Sequence, residues 1–486
     1  MQGIWTTEHI RTAENRLLAR TPEGSLMRKA AYGLAGYAAA MLADRTGAVS
    51  ARRVVLLVGA GNNGGDALWA GAFLRRRGVA VTALLLAPDR AHQPGLAALR
   101  KAGGRAIPAD HDRAIPVLKA AHLVIDGIVG LSAHGPLRPA AAELVRSIEA
   151  PVIAVDLPSG VEPDTGAVPG DAVRADLTVT FGARKPGQLL TPGATRAGRL
   201  VLVDIGLGAE LGDPDIVCLQ PADVGALWPV PGPSDNKYSQ GVTGVAAGSA
   251  RYPGAAVLAT GSAVLATSGM VRYAGTGASS VLARWPEVVT TGSVTDAGRV
   301  QAWVVGPGLG TGSAGQETLR HVLAAEVPTC VDADAITMLA QNPELWDARD
   351  PDAQLVLTPH DGEFERLAGP VGEDRVAAAL SAARRFQIVV LLKGNTTVVA
   401  APDGRVLVNE SRSSWPATAG SGDVLSGLIG ALLAAGIGPW LAAGSAAFVH
   451  GLAAELAAEG APAPASVLES AIPRAIRTVR AAAGLD

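Results

Sequence analysis

Between Arg52 and Gly208 the chain returns repeatedly to short apolar runs that lack polar alternation: VVLLV, VTALLL, HLVIDGI, PVIAVDL, LTVTF and LVLVDI. A strand with one wet face alternates apolar and polar residues, so runs like these need cover on both faces. Helices on either side of a parallel sheet supply that cover, and helical stretches separate the runs. A second series follows, with TGVAAGS, AWVVGPGLG, PTCVDADAI, AQLVLTPH and QIVVLLKG. The intervening PADVGALWPVPGPSDNKYSQG, Pro221 to Gly241, is rich in proline, glycine and polar residues and predicts a linker. At 486 residues the chain exceeds what one core usually serves. Two α/β domains in tandem are therefore expected: a three-layer α/β/α domain over 1–214, a linker and domain start over 215–240, and a second α/β domain over 225–486.

Composition narrows the partners. A formal net charge of −3 gives no electrostatic reason for binding nucleic acid or an anionic membrane. With 48% hydrophobic and 17% charged residues the chain buries readily and argues against extensive disorder. Cys218 and Cys330 lack metal-ligand spacing and fit core thiols in a reducing compartment. The start, MQGIWTTEHIRTAENRLL, does not read as a signal peptide, and glycine and proline interrupt LIGALLAAGIGPWLAAGSAAFVHGLAAELAAEG, which predicts buried helices rather than a membrane span. A cytoplasmic protein is expected.

GAGNNGGDALWAG, from Gly59, directly follows the first apolar run. Gly59, Gly61 and Gly64 fit G-x-G-x-x-G, the strand–loop–helix spacing of a Rossmann-like dinucleotide cradle. Asn62, Asn63 and Asp66 add two amides and a carboxylate that such a cradle does not need, which suits a cation or substrate hydroxyls. A plain glycine turn for helix packing is the alternative. Asp126 and Asp156 end two further strands, and ligands of open α/β sheets gather outside those ends. Asp126 is a candidate acid or base, and Asn63, Asp126 and Ser159 could offer oxygens to a monovalent cation. Asp156, before ProSerGly, could equally cap a helix.

The series GNNGGD, VIDGIVG, AVDLPSGVEPDTG and TFGARKPG resembles the N-terminal domain of the NAD(P)H-hydrate epimerases over most of residues 1–214. The resemblance implies that Asn62, Asn63, Gly64, Gly65 and Asp66, the loop Gly130, Leu131, Ser132, Ala133, His134, Gly135 and Pro136, and Asp156 bind the hydrated nucleotide. It also implies potassium on Asn63, Asp126 and Ser159, with Asp126 as the catalytic carboxylate. The chain departs from the family in having Ala67 where a glycine follows GNNGGD, and GLSAHGP in the loop after Asp126.

The second domain carries ATAGSGDVLSG, Ala417 to Gly427. Gly420, Ser421 and Gly422 at a helix start would leave backbone amides for the charge of a transferring phosphoryl group, and Asp423 would accept a hydroxyl proton. A simple loop with a cap is the alternative. With LKGNTT, TPHDGEFERL, VDADAI and GPGLGTG, the set resembles the ribokinase-like, ADP-dependent NAD(P)H-hydrate dehydratases over about 225–486. By that resemblance Ala255, Gly308, His360 and Asp423 contact the hydrated cofactor, Asp423 is catalytic, and Lys393, Gly394, Asn395, Thr396, Thr397 and Gly422 bind the adenine nucleotide. Glu363 could hold magnesium through water or cap the next helix.

The tandem resembles bifunctional nicotinamide nucleotide repair enzymes. It implies NADHX, NADPHX and ADP as small-molecule partners, potassium in the first domain, magnesium with ADP in the second, and a homo-oligomer. Alternatives are a ribokinase-like kinase of a small vitamin alcohol, a non-catalytic first domain that senses damaged nucleotide, and a simple dehydrogenase.

Overall fold

The computed structural model describes residues 1–267, 269–410 and 414–485. It divides into two compact units: Gly3–Ile216, and the chain from Val217 onward together with Met1–Gln2.

Seven parallel strands form the sheet of the first unit, in the order Arg105–Pro108, Ala80–Leu85, Arg53–Val58, Leu123–Gly127, Val152–Val155, Leu177–Phe181, Arg199–Val203. The first apolar run thus lies inside the sheet, and the chain winds outward from it in both directions. Its Val54, Leu56 and Val58 face one core with Leu34 and Leu68, while Val55 and Leu57 face a second with Leu118 and Leu144. Cover on both faces is what the missing alternation requires. The reversal of strand order beside Arg53–Val58 opens a crevice at the strand ends. There the glycine loop leads into helix Asn62–Arg75, and Asp126 lies opposite Leu57 in register.

In the second unit seven strands run parallel, in the order Val389–Leu392, Leu355–Leu357, Thr329–Val331, Ala302–Val305, Val242–Ala246, Met270–Ala274, Val289–Thr291. The antiparallel strands Thr397–Ala400 and Val406–Asn409 extend it beyond Val389–Leu392. The helices Pro253–Ala266, Ser421–Ala434, Pro439–Ala458 and Ala465–Ala482 contribute most of a large apolar core, which includes Val304, Leu428, Ile429, Val449 and Ile472.

Two features differ from the sequence expectations. The stretch that reads as a linker opens with helix Pro221–Leu227, which is part of the second unit. Asp223 caps it by accepting from Gln220 N at 2.8 Å, receives the Met1 ammonium at 2.6 Å, and is followed by buried Trp228, whose Nε1 donates to Ala266 O at 2.9 Å. Those partners are distant in sequence, so composition could not reveal them. The late apolar stretch, expected to be broken by glycine and proline, breaks only between Ala434 and Pro439, because Pro439 occupies the first turn of a 20-residue helix where its missing N–H costs nothing. That helix is long and apolar enough to cross a membrane, yet 67% of its most apolar window is buried within the structure.

Gly427 marks a close helix contact in this unit's core. A methyl there would drive into Ser262 Oγ and the Ala259 carbonyl on helix Pro253–Ala266. Gly427→Ala is expected to destabilise this unit by about 1–3 kcal/mol through overpacking. Urea unfolding of the full chain followed by circular dichroism reads the change, and an unaltered midpoint would contradict the close approach.

Candidate active sites

In the first unit the loop, Asp126 and Asp156 come from the ends of three adjacent strands, Arg53–Val58, Leu123–Gly127 and Val152–Val155. Asp126 is fully buried. Its Oδ1 accepts from Ser159 Oγ at 2.7 Å and Ile128 N at 3.2 Å, and its Oδ2 accepts from Ser159 N at 2.8 Å. Burial pushes its carboxyl up to about 6, against the pull of those hydrogen bonds. Asn63 Nδ2 donates to Val155 O at 2.6 Å, and the Asn63 amide lies where a side chain on Gly130 would stand. One carboxylate, one amide oxygen and one hydroxyl thus line neighbouring strand ends, with the Val129 carbonyl 3.2 Å from Ser159 Oγ. A single charge among neutral oxygens suits a monovalent cation, so the donor chemistry fits potassium.

The loop from Gly130 to Pro136 is pinned from two sides. Arg11 donates to Leu131 O at 2.8 Å, and Glu162 accepts from Gly135 N at 2.6 Å and lies 3.3 Å from His134 Nδ1. Ala133 is buried while Ser132, His134 and Pro136 are exposed. Asn62 is exposed too, whereas Gly64, Gly65 and Asp66 are buried. The methyl of Ala67 is buried against Gly127, whose own Cβ would come within 2.7 Å of it. The departure from glycine is therefore accommodated by the adjacent strand.

Asp156 does not cap a helix. It sits at φ 66 immediately after its strand, and its carboxylate forms a buried ion pair with Lys185. Thr180 Oγ1 donates to Asp156 Oδ1 at 3.0 Å, Lys185 Nζ also donates to Thr180 Oγ1 at 2.8 Å, and Gln188 Nε2 holds the Asp156 carbonyl. Asp66 shares this region. Its Oδ1 is buried and, among the described residues, has no hydrogen-bond partner, and burial, then Asp156 and Glu14, raise its carboxyl well above the usual range. Burial and Asp156 raise Glu14 likewise. Sequence reasoning missed Lys185, Gln188 and Glu14. The TFGARKPG motif contains the lysine, but nothing local links Glu14, on helix Thr7–Leu18, to the crevice.

The second unit holds a cavity of about 870 Å³ lined by His360, Lys393, Gly394, Asn395, Thr397, Gly422 and Asp423, among others. Helix Ser421–Ala434 starts from Gly420 at φ 84. Ser421 N donates to Thr418 O at 3.2 Å, so that amide closes the turn; among the described residues, the Gly422 and Asp423 amides carry no backbone acceptor. Of the three expected amides that of Ser421 is thus engaged, and the Asp423 amide stands open beside that of Gly422. Burial, then the nearby Asp332, push the Asp423 carboxyl up to about 7, with Lys393 opposing. Lys393 Nζ donates to Asp332 Oδ1 at 2.7 Å and lies 3.9 Å from Glu363. Desolvation pulls Lys393 down, but those two carboxylates outweigh it and hold the ammonium above its ordinary value.

His360 begins helix Asp361–Ala368, its Nδ1 accepting from Gly362 N at 3.0 Å, while Glu363 Oε2 accepts from His360 N at 3.0 Å. Glu363 is therefore a cap. Ala255 and Gly308 meet, a Cβ on Gly308 falling 2.8 Å from that of Ala255, though neither lines the cavity. Thr396 is buried behind the turn it shares with Asn395 and Thr397. Asp332 and His450 escaped sequence reasoning. The rule that selected Asp126 and Asp156, an aspartate closing a parallel strand, applies equally to Asp332. His450 lies buried in helix Pro439–Ala458, 3.0 Å from Ser421 Oγ, and desolvation lowers it to about 4, so it is neutral at physiological pH.

Residues 243–476 match the NAD(P)H-hydrate dehydratase family model, and residues 23–187 match that of the YjeF-related protein N-terminus. A bifunctional NAD(P)H-hydrate repair enzyme of Mycobacterium leprae is 55% identical over 97% of each chain. Enzymes of the same name from Mycobacterium tuberculosis strain CDC 1551 / Oshkosh and Escherichia coli K12 are 56% and 32% identical, covering 90% and 94% of this chain and 90% of each relative. A ribokinase-like superfamily protein of Enterococcus faecalis V583 matches 55% of this chain and 96% of its own at TM-score 0.50 and 22% identity, which shows the fold. With both family models matched in order and curated relatives aligned along nearly the whole chain, this protein belongs to the bifunctional NAD(P)H-hydrate repair enzymes.

Proposed function

We propose that the first unit interconverts the R and S forms of hydrated NADH and NADPH, and that the second dehydrates the S form at the expense of ADP, releasing AMP and phosphate. The observation that carries this reading is Asp423. Its carboxylate, raised to about 7, lines the cavity beside Lys393 and next to the Gly422 amide at a helix start. Such a group is half ionised near neutrality and can take the C6 hydroxyl proton as that oxygen attacks the terminal phosphorus of ADP. The bond from that phosphorus to the bridging oxygen breaks, AMP departs, and a C6 phosphate ester remains. The ring nitrogen lone pair then expels phosphate as the C6–O bond breaks, and loss of a C5 proton restores the dihydropyridine.

Gly422 and Asp423 amides would hold the transferring phosphoryl oxygens, with Lys393 as their counter-charge and Gly394 to Thr397 forming the turn that receives the adenine nucleotide. His360, Ala255 and Gly308 would contact the hydrated cofactor. Among the described residues no three carboxylate, imidazole or thiol groups gather as a metal cage. Magnesium bound to ADP phosphates would therefore supply its charge as part of the nucleotide.

In the first unit Asn62 to Asp66, Gly130 to Pro136 and Asp156 would bind the hydrated nucleotide. Asp126 would take the C6 hydroxyl proton while the C6–N1 bond opens and N1 gains a proton; reclosure on the opposite face gives the other epimer. Asn63, Asp126 and Ser159 would hold potassium, which would supply positive charge for positioning the substrate.

The direct test mixes purified protein with both NADHX epimers, potassium, magnesium and ADP, and follows NADH absorbance. Full recovery is expected; none with either ADP or ATP would overturn the reading and favour a vitamin-alcohol kinase. Asp423→Asn is expected to slow dehydration by about 10²–10⁴-fold while chromatography still shows epimers interconverting, and loss of both activities would sink this division of labour. Asp126→Asn should do the reverse, halting recovery once the S epimer is consumed. Lys185→Met leaves Asp156 buried without its partner and should destabilise the first unit by about 3–5 kcal/mol; an unshifted urea midpoint would refute that support.

A further inference from the structure

The proposed chemistry assigns no task to Asp332, the residue after strand Thr329–Val331, which is 1% exposed. Both of its carboxylate oxygens are committed. Oδ1 accepts from Lys393 Nζ at 2.7 Å and Oδ2 from Ser426 Oγ at 2.7 Å. Ser426 stands one helical turn beyond Gly422, and its hydroxyl also lies 3.0 Å from the Gly422 carbonyl. A Cβ built on Gly422 would fall 3.5 Å from Lys393 Nζ and 3.7 Å from Asp332 Oδ2. The ammonium and the carboxylate therefore both flank the helix turn whose amides face the cavity, and one buried side chain joins a strand end, a lysine and that helix.

We propose that Asp332 is a positioning residue for phosphoryl transfer: its carboxylate holds the Lys393 ammonium beside Gly422 and presents a fixed negative charge to Asp423. This inference rests on the dehydratase reading of the second unit. A lysine head on a four-carbon stem has no preferred direction of its own, unlike the planar fork of arginine. Without Asp332, Lys393 would be free to turn toward Glu363, which lies 3.9 Å away, or toward Asp423. The charge on Asp332 also reinforces burial in raising the proton affinity of Asp423, Asp334 acts in the same direction, and Lys393 opposes both. His360, Asp361, Glu363, Glu410 and His450 line the same cavity and are common to every variant compared below, so differences between variants isolate the pair.

Opposite charges give opposite signs, which a merely structural role would not. If ionised Asp423 is the base, dehydration falls as pH drops through its pKa, so the acid limb of kcat/KM in the wild-type protein should lie near pH 7. Asp332→Asn removes the negative charge and is expected to move that limb down by about one pH unit or more. Lys393→Met should move it up, and Ser426→Ala, which removes a hydrogen bond without a charge, should leave its position unchanged. The second measurement needs no substrate: carboxyl ¹³C NMR titration of the full chain labelled at aspartate, with the Asp423 signal assigned by its loss in Asp423→Asn. Shifts of Asp423 with these signs support the inference even if a variant is catalytically silent. An Asp423 titration unmoved in Asp332→Asn overturns it. A wild-type protein that shows these shifts yet fails to dehydrate NADHX with ADP or ATP would instead overturn the dehydratase reading.

Discussion

Removing a lysine from water costs several kcal/mol unless a carboxylate goes with it, and both units accept that cost at the same kind of place. In the first, Lys185 is buried against Asp156; in the second, Lys393 is held by Asp332. Each aspartate immediately follows a parallel strand, and each lysine follows another strand of the same sheet. A parallel sheet aims all its strand ends one way, so charges needed by a ligand and the counter-charges that make them tolerable collect at one edge. The apolar layers on both faces then exclude water from the Lys185–Asp156 pair and from Asp332, which makes the loss of a partner costly.

The two pairs leave different residues for chemistry. Lys185 is only 1% exposed on its side chain and fully engaged by Asp156, Thr180 and the Phe181 carbonyl, so it offers nothing directly to a ligand. Its effect is to fix Asp156 at φ 66, a conformation that needs surrounding support in a residue other than glycine. Lys393 retains 21% side-chain exposure and lines a cavity. A phosphate can reach it there while Asp332 keeps its head in place.

Local pattern made the repeated strands legible, because unalternating apolar runs demand two covered faces. The same pattern located the glycine loop, Asp126, Asp156 and the turn before Asp423. What escaped was tertiary. Glu14 stands on an N-terminal helix without any motif, and its relation to Asp66 and Asp156 arises only when that helix packs over the strand ends. The helix Pro221–Leu227 hid within turn-rich composition because its anchors, the chain's own amino terminus and the Ala266 carbonyl, are remote in sequence. Asp332 was a different kind of miss: its VDADAI motif was visible, but a strand-end carboxylate shows its purpose only when its two partners are known.

That purpose bears on how a phosphoryl-transfer site avoids being merely a phosphate trap. A bare ammonium beside free helix amides would bind any anionic nucleotide tightly before reaction as well as during it, and uniform tight binding does not raise kcat. With Asp332 at 2.7 Å, part of the lysine's charge is already answered in the resting site. In the proposed transfer what remains would attract most strongly where negative charge concentrates as the bridging oxygen departs toward AMP. Burial, reinforced by the same carboxylate, raises the proton affinity of Asp423 toward neutrality, and in the proposed reaction that would let it take a proton from a hydroxyl for which an exposed aspartate is too weak a base. In the proposed reaction one buried negative charge would thus restrain ground-state attraction for the phosphate and, with burial, strengthen the base, two effects that both favour the transition state over the bound nucleotide.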